Sequence, residues 1–250
     1  MSSALLAALH RAADAVRSAL DELDDWGLAA DGVHPGQYLS DVAADAAAVD
    51  VLTSAGLGVL SEESGLRDGD RPVLVVVDPV DGSTNASRGV PWYATSLCAL
   101  DAEGPLAAVV VNQATGMRFE AVRGQGARCD GRRIRPTSAT TLADSVVALS
   151  GYPSAHLGWR QYRAFGAAAL DLCAVAAGVV DAYIDCSVDA HGPWDYLGGM
   201  LVCQEAGASI VDALGRPLAV RLHADRRTPI AAATPALLDA VVAARNNLEK

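Results

Sequence analysis

Residues 71–85 read RPVLVVVDPVDGSTN. The run Val73–Val77 is short, rich in β-branched residues and bounded by turn signals, so it predicts a strand covered on both faces. Its continuation, DPVDGSTN (78–85), packs two carboxylates, a proline, a glycine and two hydroxyls into eight positions. Pro79 pushes Asp78 into extended geometry and ends the ladder. Gly82 permits a tight turn or a close backbone approach. Ser83, Thr84 and Asn85 are capping residues for a helix whose first N–H groups face outward. One loop thus offers carboxylates to a hard cation and amides to a phosphate.

Upstream, residues 2–24 predict an amphipathic helix, 24–36 a loop broken by Gly and Pro, and SDVAADAAAVDVLTSAG (40–56) a second helix capped by Ser40 or Asp41. LGVLSEESG (57–65) reads as a short strand stopping in Glu62 and Glu63. Between 93 and 135, YATSLCAL, LAAVVVNQ and MRFEAVRGQGARCDG read as antiparallel hairpins separated by Gly, Asn and Asp. The Ser/Thr-rich stretch 135–145 marks a junction. Beyond it strands and helices alternate: VVALSG, a helix over 159–178, VVDAYID, a helix from Trp194, ASIVDA, TPIAAAT and a closing helix from about 235. The pattern predicts an α+β half followed by an α/β half.

The 250 residues are 51% hydrophobic and 20% charged, as in a packed domain. The formal net charge is -11, and the only lysine is Lys250. That field repels a polyanion, so nucleic acid is not expected as a partner. Five cysteines without a CxxC or a Cys/His cluster exclude a zinc site and fit a reduced compartment. The N-terminal stretch is interrupted by Arg and Asp, and no apolar run reaches the ~18 residues of a membrane span. A cytoplasmic protein with no membrane contact is expected.

Acids stand at three element ends: Glu62 and Glu63 after a strand, Asp78 and Asp81 after another, and Asp195 at the start of a helix. A phosphate ester is anionic, so carboxylates alone would repel it. Mg²⁺ reverses the sign, because it takes oxygen ligands and bridges carboxylates to phosphate oxygens. A pair of such ions roughly 4 Å apart can activate a water and stabilise the leaving oxygen.

Four segments in order resemble the inositol monophosphatase family. DPVDGSTN resembles its first signature, and WDYLGGMLVCQEAGA (194–208) its second. LSEESG is similar to its Glu-Glu element, and GAAALDLCAVAAGVVDAYID (166–185) to the segment between the signatures. The resemblance implies a layered αβαβα sandwich of the inositol monophosphatase and fructose-1,6-bisphosphatase type. It also implies a Mg²⁺-dependent, lithium-sensitive phosphomonoesterase, commonly a homodimer, with two to three Mg²⁺ ions. Glu62, Asp78 and the Val80 carbonyl would bind one ion, and Asp78, Asp81 and Asp195 a second. Glu62 and Ser83 would position the attacking water, with Asp45 orienting Ser83. Gly82 and Ser83 amides would hold the phosphate. Asp81, Asp185, Gly166, Ala167 and Ala168 would contact a small polyol or sugar-like substrate. Residues 1–140 would form an N-terminal subdomain carrying most metal ligands, and 141–250 a C-terminal one supplying Asp195 and substrate contacts.

Departures from the family pattern stand out. A Thr common three residues before the acid aligned with Asp45 is Val42 here, and Asp41 competes with Asp45 for the supporting role. The family's upstream lysine is absent, with His34 nearest to its place. The segment 185–194, DCSVDAHGPW, is a few residues longer and brings Asp189 and His191. His191 reads as an exposed loop histidine, and His10, His156 and His223 carry no expected role. Trp194 and Tyr183 read as packing, and Glu205 as a helix-end acid. Histidinol phosphate, a 3′-phosphonucleotide and fructose 1,6-bisphosphate are rival substrates. A catalytically inactive binding or regulatory protein on the same fold is the rival from another class. A dehalogenase-like phosphatase would need a DxD, and Asp78 and Asp81 are spaced one residue too far.

Overall fold

A computed structural model of the chain describes residues 2–24, 26–27 and 37–247. The expected loop 24–36 and His34 fall largely or wholly outside these. The elements run α1 (Ser2–Asp21), α2 (Leu39–Ser54), β1 (Gly58–Ser61), β2 (Gly65–Arg67), β3 (Leu74–Asp81) and α3 (Ser83–Ser87). Then follow β4 (Ala94–Asp101), β5 (Gly104–Asn112), β6 (Arg118–Val122), β7 (Gly126–Cys129) and β8 (Arg132–Arg133). The remainder is β9 (Val146–Ser150), β10 (Gln161–Arg163), α4 (Ala168–Ala176), β11 (Ala182–Asp185), α5 (Pro193–Ala206), β12 (Ser209–Asp212), β13 (Pro229–Ala232) and α6 (Pro235–Asn246).

The first sheet has the order β2-β1-β3-β4-β5-β6-β7-β8, with β1 and β3 parallel and its other neighbours antiparallel. The second has the order β10-β9-β11-β13-β12. Side-chain alternation along β3 shows how the layers stack. Val75 and Val77 pack with Leu9, Ala12, Val16, Ala48 and Leu52 of α1 and α2. Leu74 and Val76 pack with the opposite cluster, built on Leu170, Leu172, Leu197 and Leu201 of α4 and α5. On the far side, Val147, Leu149, Ile184 and Ile230 of the second sheet pack with Leu237, Leu238 and Val241 of α6. The result is helices, sheet, helices, sheet, helix. All eight residues of β3 are buried, because helices cover both faces of the first sheet.

Two expectations about local structure change. Pro79 does not end the ladder: β3 continues to Asp81, with a register shift between Asp78 and Asp81 opposite β4. A proline lacking its N–H is tolerated at such a bulge, and its carbonyl accepts from Thr95 Oγ1 at 2.9 Å. The helix expected over 159–178 is confined to Ala168–Ala176, while Gln161–Arg163 joins β9 as a parallel edge strand. Gly166, at φ +89°, separates the two.

The Gly198–Gly199 pair lets α5 lie between β4 and α4. A Cβ on Gly199 would stand 2.6 Å from Leu172 Cβ and 2.9 Å from the Ala169 carbonyl. Helix propensity favours Ala over Gly by about 1 kcal/mol, but overpacking costs about 1–3 kcal/mol. Gly199→Ala is therefore expected to lower stability by up to about 2 kcal/mol in chemical denaturation, and a stabilised variant would contradict this packing.

Candidate metal and phosphate site

Asp78 lies at the bulge of β3, Glu62 directly follows β1, and Asp195 is the third residue of α5. The parallel pairing of β1 with β3 aligns Ser61 with Val77, so the two strand ends deliver Glu62 and Asp78 together. Pro193 opens α5, where its missing N–H costs no helical bond. Asp195 Oδ2 then accepts from the Gly192 N–H at 2.7 Å, which fixes the carboxylate at the helix start. Ligand oxygens of Glu62, Asp78 and Asp195 lie within 4.8 Å of one another. Asp78 Oδ1 is buried and has no hydrogen-bond partner among the described residues. A buried, unpartnered carboxylate oxygen facing two further acids is the donor set of a hard divalent cation.

The charge state of the cluster agrees. Burial first, then Asp195, Glu63, Asp81 and Asp41, pushes Glu62 up to about 9. Asp78 and Asp81 are likewise raised well above the carboxylate range, chiefly by burial and then by neighbouring acids. Burial also raises Asp195, although His191 and the Gly192 N–H act against it. Without a cation these groups hold protons to balance their crowding.

Asp81 serves a second purpose. Its Oδ1 accepts from the Ala168 N–H at 3.2 Å and its Oδ2 from the Ala169 N–H at 2.7 Å, so it closes the first turn of α4. Asn85 does not cap α3 but donates to the carbonyls of Trp92 (2.8 Å) and Phe165 (2.7 Å). These bonds draw the 165–169 segment against DPVDGSTN. Gly82, at φ +92°, admits that approach, since a Cβ there would meet the Gly166 carbonyl at 3.1 Å and Ala167 Cβ at 3.2 Å. The Ser83 hydroxyl donates to the Val80 carbonyl at 2.9 Å.

A cleft of about 480 Å³ adjoins the cluster, lined by Asp41, Glu62, Glu63, Ser83, His223 and Arg226 among others. Its walls distinguish the expected residues. Asp45, expected beside Ser83, instead accepts from the Ser61 hydroxyl in the interior. Asp41, one helical turn earlier, faces the cleft. Its carboxyl is raised to about 6 by burial and Glu63, against a hydrogen bond from Ser83. Of the two acids, Asp41 rather than Asp45 is therefore the one that stands beside Ser83 at the cleft. Gly166 lines the cleft, whereas Ala167 and Ala168 are buried at 2% and 7% exposure. Asp185 has no exposed surface, and its carboxylate is engaged by His191 Nδ1 (2.8 Å) and the Ser187 N–H (2.9 Å). It cannot receive a substrate hydroxyl in this arrangement. His191 is correspondingly not an exposed loop residue but a nearly buried partner of Asp185, also 3.3 Å from the Tyr183 hydroxyl.

His223 and Arg226 are functional candidates that pattern reading passed over. The signal was the charged run RLHADRRT (221–228) between two strand-like segments. Glu205 is structural, accepting from the Gly124 and Gly126 N–H groups at 2.8 Å each.

Residues 40–250 match the family model described as the inositol monophosphatase family. The chain belongs to the inositol monophosphatase family. Within that framework it is 32% identical over 196 residues to a fructose-1,6-bisphosphatase of Pyrococcus furiosus, covering 76% of each chain. It is 33% identical over 193 residues to the Nus factor SuhB of Escherichia coli, covering 70% of this chain and 71% of that one. In fold it is similar to an inositol monophosphatase structure from Anabaena, with a TM-score of 0.81 at 23% identity over 98% of this chain and 96% of that one. The family's layered αβαβα fold is the one described above. Among the described residues no helix is long and apolar enough to cross a membrane.

Raised carboxyl pKa values have a definite consequence for stability. A group that binds its proton more tightly when folded stabilises the protein below its unfolded pKa, and that contribution is lost as pH rises through the folded value. For Asp41 (3.8 to about 6) and Glu62 (4.5 to about 9), the window opens near pH 4 and closes near 9. The metal-free protein is expected to lose Tm as pH rises from about 5 to about 9, and Mg²⁺ to restore more at the upper end. A Tm independent of pH and Mg²⁺ over this range would contradict the crowding of these acids.

Proposed function

We propose that the protein is a Mg²⁺-dependent phosphomonoesterase acting on a small polyol or sugar-like phosphate. The observation that carries this reading is the convergence of Glu62, Asp78 and Asp195 around the unpartnered Asp78 Oδ1, beside an open cleft. The likeness to a named fructose-1,6-bisphosphatase supports a phosphorylated sugar or polyol as substrate.

Glu62, Asp78 and Asp195 would hold Mg²⁺, with the Val80 carbonyl and Asp81 completing a two- or three-ion set. When bound, the ions neutralise charge on the phosphate and on the leaving oxygen and lower the pKa of an attacking water. The chain's own groups provide the rest. The N–H groups of Gly82 and Ser83 stand at the start of α3, where helical amides lack internal partners and suit an anionic oxygen. The Ser83 hydroxyl donates to the Val80 carbonyl, with Asp41 beside it as the alternative acceptor for that proton, while Glu62 faces the same cleft as an acceptor for the water's proton. Arg226, the one arginine lining the cleft, adds positive charge for an anionic substrate. Gly166 borders the part of the cleft left for the alcohol portion.

The same family likeness supports Li⁺ inhibition, a homodimer, a cytoplasmic location and subdomains meeting near residue 140. The last also rests on the change of sheet between β8 and β9. Similarity to a protein named a Nus factor favours a second reading, a binding protein in which catalysis is secondary or absent.

A panel of inositol 1-phosphate, fructose 1,6-bisphosphate, histidinol phosphate and a 3′-phosphonucleotide decides between them. Mg²⁺-dependent phosphate release is expected on at least one, and no turnover on any would favour the binding protein. Asp195→Asn is expected to cut kcat by about 100-fold or more with the fold retained; near-normal activity would refute its place in the site. Ser83→Ala is expected to lower kcat about tenfold or more with little change in KM, because a water-orienting hydroxyl acts in the transition state. An unchanged kcat would assign water positioning elsewhere.

A further inference from the structure

Glu62 and Asp195 lie 133 residues apart in the chain, and when ionised each repels the other. Among the described residues no hydrogen bond to its carboxylate holds Glu62 in place, and its ties are at the backbone. The Glu62 N–H donates to the Val77 carbonyl at 3.1 Å, on the residue before Asp78. The Glu62 carbonyl accepts from His223 Nε2 at 2.9 Å. His223 belongs to the loop 213–228 between β12 and β13, in the second sheet, whereas Glu62 follows β1 in the first.

The same ring lies against Trp194, the residue before Asp195, with centroids 4.6 Å apart and planes 40° apart. Arg226 of this loop also stands over the Trp194 ring, 5.1 Å from its centroid. Arg226 Nη1 donates to the His223 carbonyl at 2.8 Å, which draws the loop closed around the indole. Trp194 is 4% exposed, so the contact is a packed one. A single imidazole therefore bonds to the backbone of one carboxylate-bearing residue and packs on the neighbour of another.

We infer that His223 is a positioning residue of the cation site: by tying the Glu62 carbonyl to the Trp194–Asp195 helix start, it sets the affinity of Glu62, Asp78 and Asp195 for a divalent cation. This rests on the reading of those three acids as a metal site and goes beyond it by assigning the residue that holds them together. The physical reason is preorganisation. Three carboxyls within 4.8 Å must all be ionised and aimed at one point when the ion binds, and each degree of freedom left to their backbones must be lost at that moment. Groups that orient metal ligands typically change metal affinity about 10- to 100-fold when removed. The bond needs a proton on Nε2, which both the imidazolium and one neutral tautomer provide.

The test is Mn²⁺ binding to the full chain without substrate, followed by titration calorimetry, for wild type, His223→Ala, His223→Phe and His223→Gln. Phe keeps an aromatic ring against Trp194 but removes the donor. Gln places an amide N–H near the position of Nε2 without the ring. Mn²⁺ affinity is expected to fall about tenfold in the Ala and Phe variants and to recover to within about threefold of wild type in the Gln variant. Thermal unfolding of the metal-free proteins confirms that Phe and Gln fold. Wild-type affinity in both Ala and Phe would overturn the proposal, and a raised substrate KM at unchanged Mn²⁺ affinity would overturn it in favour of substrate contact. Wild-type protein that binds no Mn²⁺ would fail the metal reading itself, a result distinct from failure of His223 alone.

Discussion

The structure depends on holding mutually repelling carboxylates together under burial. Glu62, Asp78 and Asp195 place oxygens within 4.8 Å of one another, and Asp78 Oδ1 has no hydrogen-bond partner among the described residues. Isolated, such an arrangement is unfavourable, because burial and like charge both oppose ionisation. It persists because the surrounding fold restrains the backbones that carry the acids: β3 wedged between two helical layers, β1 paired parallel to it, and α5 started by Pro193 and pinned by its own Asp195. In the function proposed above, a cation would convert the same crowding into binding energy and would in turn admit an anionic substrate to the acidic cleft.

The loop 78–85 connects that charge arrangement to the rest of the site. Asp81 spends both oxygens on the first amides of α4, and Asn85 reaches the Trp92 and Phe165 carbonyls. Gly82 allows the two backbones to meet. The clustered acids, the Gly82 and Ser83 amides and the Gly166 wall are therefore mechanically one unit, although they come from separate stretches of chain.

Local chemistry made much of this legible. The valine run predicted a doubly covered strand and Trp194 a packing residue at the start of α5, whereas the close packing of the Gly198–Gly199 pair appears only in the structure. What was not legible depended on direction or on distant partners. Asp41 and Asp45 lie one turn apart on α2 and share a face, so pattern alone could not say which reaches the cleft and which reaches Ser61. Asp185 looked like a substrate contact until His191, six residues on, folded back over it. His223 and Arg226 sit in an irregular loop with no periodicity, and their role appears only when Trp194 and Glu62 are brought beside them.

The central claim is that these three acids form one cation site. Crystals soaked in Mn²⁺ and measured at the manganese absorption edge test it most directly. The account predicts an anomalous peak bounded by the Glu62, Asp78 and Asp195 carboxylates, with Asp78 Oδ1 as a ligand. A peak elsewhere, or none at this cluster while the protein is folded, would contradict it.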